Sequence, residues 1–134
     1  MRRENDKVLV KHYTRDDEAA LFAVIRSEGS DWEEYYGSGK ERYQTALESS
    51  VTYVIYDGDV LCGYCRCRED DGFGIYIYDL LVDKSYRGKQ YGHRLIAKVY
   101  HDFPDEDVYV MSDVDPYYEK LGCQRAGSIF MVKG

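Results

Sequence analysis

Residues 51–83 read VTYVIYDGDVLCGYCRCREDDGFGIYIYDLLVD, and this run limits the fold more than any other part of the chain. It holds three stretches rich in Val, Ile, Tyr and Cys. Asp57-Gly58 separates the first two and Asp70-Asp71-Gly72 the last two. Asp-Gly between alternating apolar residues is a strong hairpin signal, because glycine reaches the left-handed conformation that a tight turn needs. The spacing predicts strands over 51–57, 60–68 and 73–83, joined as an antiparallel meander. A further strand is expected at 8–13, and others at 108–113 and 127–133.

Helical patterns fill the rest. Thr14, with Asp16, Asp17 and Glu18 behind it, reads as a helix start, and Leu21, Phe22 and Ile25 supply an apolar stripe that Gly29 ends. Ser30-x-x-Glu33 and Ser38-x-x-Glu41 read as capping boxes for a helical turn over 31–36 and a helix over 40–48. A helix from about 92 to 103 stops at Pro104. Asp115-Pro116 opens a short helix that Gly122 closes. The expected order is βααβββαβαβ, a mixed α/β fold with an antiparallel meander and then a β-α-β crossover. With 134 residues the chain fits one domain, 1–134, with one core.

Composition excludes several classes. No apolar run approaches a membrane span, and MRRENDKVLV lacks the apolar centre of a secretory signal, so a soluble cytoplasmic protein is expected and no membrane partner. The net charge of −7 argues against a nucleic-acid partner. Cys62, Cys65 and Cys67 suggest zinc by spacing. In a strand, however, Cys62 is expected on the face opposite Cys65 and Cys67, and Cys123 is a poor fourth ligand, so no metal is expected.

Charge is distributed unevenly. Between Asp83 and Asp102 there is no acidic residue, while Lys84, Arg87, Lys89, His93, Arg94 and Lys98 all fall there. A run on a solvated helix face would look the same. This window, though, coincides with SYRGKQYG at a strand–helix junction. The start of a helix offers unpaired N–H groups and about half a positive charge, which suits an anion such as pyrophosphate. Glycines let the backbone approach it. Neither the Walker spacing nor the dinucleotide Gly-x-Gly-x-x-Gly spacing fits these residues.

LLVDKSYRGKQYGHRLI resembles motif A of the GNAT superfamily of N-acetyltransferases, whose pattern is Gln/Arg-x-x-Gly-x-Gly/Ala after a strand. Arg87, Gln90 and Gly92 occupy its fixed positions, with Gln90 in place of the central glycine. PYYEKLGC resembles the C-terminal signature of that family, Tyr-x-Lys-x-Gly-Phe. Tyr118, Lys120 and Gly122 match, and Cys123 replaces phenylalanine. The two motifs stand in the family's order.

The resemblance implies acetyl-CoA as donor substrate and a primary amine of a small molecule as acceptor. It implies a splay between the fourth and fifth strands, with Leu81 and Val82 against pantetheine. Pyrophosphate is expected at Arg87, Gly88, Lys89, Gln90, Tyr91, Gly92 and His93, and Asp113 is counted among the cofactor-binding residues. The backbone at Gln90 is expected to be helical already. Tyr118 is implied as the acid that protonates the leaving thiolate; the alternative is a packed aromatic. Asp79 is a candidate base; the alternative is a salt-bridged acid at a strand end. Trp32, Tyr35, Tyr36, Tyr76 and Tyr78 are candidates for the acceptor site. A non-catalytic acetyl-CoA-binding module, acetylation of protein amino groups, and a homodimer all stay open.

Overall fold

The structure, a computed structural model, describes residues 7–134. Its elements are β1 (Val8–His12), α1 (Glu18–Glu28), α2 (Glu33–Tyr36), α3 (Lys40–Ser49), β2 (Val51–Asp57), β3 (Val60–Glu69), β4 (Ile75–Val82), α4 (Tyr91–Asp102), β5 (Val108–Val110) and α5 (Asp115–Lys120). The five strands form one mixed sheet in the order β1-β2-β3-β4-β5. The first four are antiparallel neighbours, and β5 joins β4 in parallel after the α4 crossover.

Two apolar layers cover the sheet. On one face α1 and α3 bring Leu21, Phe22, Ile25, Tyr43 and Leu47 against Val54, Tyr64 and Leu81. On the other, α4 brings Leu95 and Val99 against Tyr53, Ile55, Cys65, Cys67, Ile75 and Ile77. Alternation along each strand feeds both layers, which is why these strands read as near-continuous apolar runs.

The structure corrects several expectations. Residues 127–133 form no strand. Ile129, Phe130, Met131 and Val132 are all more than two-thirds exposed. β-Propensity describes a fit to a pleated, half-buried surface, so a run without a paired neighbour does not express it. Cys62 joins Cys65 and Cys67 in the α4 layer. Ile55 pairs with Gly63 and Tyr56 with Leu61, so Cys62 is the extra residue of a β-bulge, and a bulge resets which face each side chain takes. The expected capping boxes at Ser30 and Ser38 do not form, and the backbone caps there are Gly29 and Gly39. Glu33 instead accepts from the Ser38 N–H and hydroxyl at 3.0 and 3.1 Å.

Candidate active site

The cleft starts where two strands part. β4 and β5 pair only through Ile75–Val108, Tyr76–Tyr109 and Ile77–Val110, and the last bond runs from Met111 N–H to the Ile77 carbonyl at 3.0 Å. There β4 carries a bulge. Arg66 on β3 faces Asp79 and Cys67 faces Ile77, leaving Tyr78 as the extra residue. Beyond it, residues 79–82 pair with β3 on one side only. Asp83 N–H donates to the Cys62 carbonyl across β3 at 2.8 Å. By the alternation of an antiparallel ladder, Leu81 also turns its amide to β3, and Val82 turns its amide into the gap. Of the two residues expected against pantetheine, Val82 therefore presents the backbone donor.

The loop after β4 ends in an array of free donors. Arg87 N–H donates to Lys84 and Arg94 N–H donates to Gln90, while the amides of residues 88–93 find no acceptor among the described residues. Gln90 does not have the expected helical backbone. Its φ is 66° and ψ 26°, left-handed, and Gly88 has φ 84°. A left-handed residue followed by right-handed helix turns successive N–H groups toward one point, a concavity suited to an anion. With Gln90 as cap, α4 has no acidic residue in its first turn. Lys89 and His93 are exposed. Tyr91 instead turns inward, and its hydroxyl donates to Asp57 at 2.8 Å. Arg87 turns back from the loop to Glu28 and to the Val82 carbonyl. Gly92 is packed under the Tyr117 hydroxyl, which a Cβ at that position would meet head-on.

Tyr118 lies on α5, the helix that follows β5. Its side chain is buried, its ring meets that of Tyr117 edge-on at 5.0 Å, and its hydroxyl has no protein partner among the described residues. Burial, reinforced by Tyr117 and Cys123, pushes its pKa up to about 12, so it stays a proton donor at neutral pH. Asp113 lies exposed between β5 and α5, close enough to add to that upward shift.

Asp79 is held tightly. Its Oδ2 accepts from Arg66 Nε at 2.7 Å and from the Tyr43 hydroxyl at 2.7 Å. Tyr43 has one proton to give, so the 2.7 Å contact between the Tyr43 and Tyr64 hydroxyls runs from Tyr64 to Tyr43. Burial above all pushes both phenols well above their ordinary range, reinforced at Tyr43 by Tyr64 and then Asp79 and at Tyr64 by Asp79, so both remain donors. Arg66, despite burial, is held charged by Asp79. The Oδ1 atom of Asp79 accepts no protein hydrogen bond among the described residues. The carboxylate is thus the salt-bridged acid of the sequence reading, with one oxygen still available.

Around it the aromatic side chains form one chain of contacts. Trp32 meets Tyr35 at 5.3 Å, and Tyr35 meets Tyr43 at 4.8 Å. The Arg66 guanidinium lies 5.6 Å from the Tyr43 ring and 5.7 Å from that of Tyr78. Tyr78 leads to Tyr76 at 6.4 Å, which stacks on Tyr109 at 4.9 Å. Tyr36 does not join, because its ring faces Arg26. Arg66, Tyr64 and Tyr109 were not identified from the sequence. Arg66 carries a signal only once the β3–β4 register is known, since that register sets it opposite Asp79.

The pattern of the GNAT acetyltransferase family matches residues 21–123. No curated protein matches the chain significantly. Among solved structures, a GNAT-family acetyltransferase protein of Streptococcus pneumoniae aligns with a TM-score of 0.72 at 20% identity, covering 95% of this chain and 99% of that one. An aminoglycoside acetyltransferase from an uncultured soil metagenomic sample aligns with a TM-score of 0.73 at 21% identity, over 95% and 98%. An N-acetyltransferase of Thermoplasma acidophilum, solved in complex with coenzyme A, aligns with a TM-score of 0.68 at 13% identity, over 86% of each chain. At these identities the likeness is one of fold. The match to the family pattern goes further: the chain belongs to the GNAT family of acetyltransferases.

Proposed function

We propose that this protein transfers the acetyl group of acetyl-CoA to a primary amine of a small molecule. The observation that carries the reading is the row of amides at 88–93, without acceptors among the described residues, following β4 where it parts from β5. An acidic protein that keeps its carboxylates out of this segment suits a polyanionic donor substrate. Basic side chains on the same segment add charge-assisted attraction.

Each step of the transfer has a candidate group. The strand gap and the amide cradle hold the donor at two points and fix its orientation, which lowers the entropic barrier. Val82 N–H faces the gap and can take the carbonyl oxygen as it gains negative charge. Asp79 Oδ1 takes up the proton of the amine, directly or through a water. Its partner oxygen is fixed by Arg66 and Tyr43, so the carboxylate is oriented before the amine arrives. Tyr118 donates to the departing thiolate. Trp32, Tyr35, Tyr76 and Tyr78 line the approach to Asp79, where aromatic faces beside a carboxylate suit a cationic amine.

The test is to mix protein, acetyl-CoA and a panel of small amines, and to follow free thiol release while weighing the products. Acetylated amine formed in step with thiol supports the proposal. Tight acetyl-CoA binding without turnover on any amine would leave a binding module instead.

A further inference from the structure

We propose that Glu28 is a positioning residue for the acetyl-CoA cradle, acting through Arg87; the inference rests on the donor-site reading above. Arg87 Nη2 contacts Glu28 Oε1 at 2.7 Å, and its Nε donates to the Val82 carbonyl at 3.0 Å. One guanidinium thus ties three pieces together: the last turn of α1, the end of β4 at the gap, and the start of the cradle loop. The amides of 88–93 make no hydrogen bonds to the described residues, so the loop is held in shape from its flanks. Arg87 is the tether on one flank, and the Tyr91 bond to Asp57 is the tether on the other.

Glu28 is out of place by local rules. An acid in the last turn of a helix opposes the helix dipole, and a lysine or arginine would suit it better. Its side chain is only 20% exposed. The Arg87 contact gives a reason for it. The planar fork of arginine can satisfy a carboxylate and a carbonyl at once in fixed geometry, which a lysine ammonium does less well. A loop whose donors are set before the ligand arrives loses less entropy when it binds.

This assignment differs in sign from a direct phosphate contact by Arg87. If Arg87 served only as charge for the phosphates, Glu28 would be a competitor, and replacing it with a cation would tighten binding. If Glu28 braces Arg87, Glu28→Lys breaks the tether although it adds positive charge near the cradle. The expected result is a rise in KM for acetyl-CoA of about three- to tenfold with kcat changed less than about twofold, the scale of a partly exposed ion pair plus the new repulsion. Arg87→Lys keeps the charge and loses the fork, so it also raises KM, and the double variant is no worse than the more affected single. Lysine suits a helix C-terminus, so Glu28→Lys is expected to fold, and its thermal unfolding checks that. An unchanged or lowered KM in Glu28→Lys overturns the brace while leaving the cradle intact. A wild-type protein that does not bind acetyl-CoA at all overturns the cradle and the brace together.

Discussion

Gln90 carries a left-handed backbone at the position where the family pattern has glycine. A non-glycine residue pays roughly 1–2 kcal/mol for that conformation, although the cost in the unfolded chain of adding a glycine offsets part of it. Gln90→Gly is therefore expected to raise the melting temperature, by up to about 1 kcal/mol of stability, with acetyl-CoA affinity kept. Thermal unfolding of the pair checks this, and a lowered melting temperature would contradict it. The sequence did not reveal this conformation, because glutamine is a poor marker of a left-handed residue; the turn from loop into α4 imposes it. Tyr118 stood out in the sequence from its place in PYYEKLG, and the structure buries its side chain. Tyr118→Phe removes only the hydroxyl, so kcat should fall by about 10²–10⁴-fold with little change in acetyl-CoA binding. Tyr117→Phe is the comparison. Its hydroxyl lies over Gly92, so its effect should appear in acetyl-CoA KM rather than kcat. Steady-state kinetics of both variants separate the two roles.

At the scale of elements, the meander was legible because Asp-Gly turns set strand length and order directly. The strand gap and the start of α4 were placed through the family resemblance and the glycine-bearing basic window. Two bulges were not legible. Each adds one residue to one strand, at Cys62 and at Tyr78, and nothing local in the sequence marks the insertion. The first put Cys62 on the wrong face in the sequence reading, and the second hid the pairing of Arg66 with Asp79. The unpaired run at 127–133 shows the reverse error, a strand pattern with no neighbour to pair. α4 itself allows a sharp test. Gly92 lies in its first turn, where alanine has the better helix propensity by up to about 1 kcal/mol. A Cβ there would meet the Tyr117 hydroxyl, the movable end of a side chain, and push it from its place over the start of α4. Gly92→Ala is expected to leave thermal stability equal or higher while weakening acetyl-CoA binding about tenfold or more, as read by calorimetry. Equal affinity would remove close backbone approach as the reason for glycine there.

Over the whole molecule, five of the fifteen tyrosines, Tyr43, Tyr53, Tyr64, Tyr91 and Tyr118, are buried, and the hydroxyls of the first four are hydrogen-bonded. Burial pushes Tyr13 and Tyr118 up to about 12, and pushes Tyr43, Tyr53 and Tyr64 further. The sign follows from linkage. Below about pH 10 these phenols are protonated in both folded and unfolded chains. Above it the unfolded chain releases protons that the folded one keeps, so stability is lost as pH rises from about 10 to 12. Denaturant midpoints measured across that range should fall steeply, and a flat profile would contradict the burial of these rings. The charge pattern acts at the same scale. A net charge of −7 with one acid-free segment favours a polyanion at that segment alone, and its binding should weaken with added salt. In the proposed function, the amides of 88–93 and of Val82 are the donors that receive acetyl-CoA. The most direct test is to follow backbone amide resonances and hydrogen exchange residue by residue as acetyl-CoA is added. The largest shifts and the largest gain in protection are expected at 88–93 and Val82. Saturable binding with those amides unmoved, or with the changes centred elsewhere on the protein, would contradict that assignment.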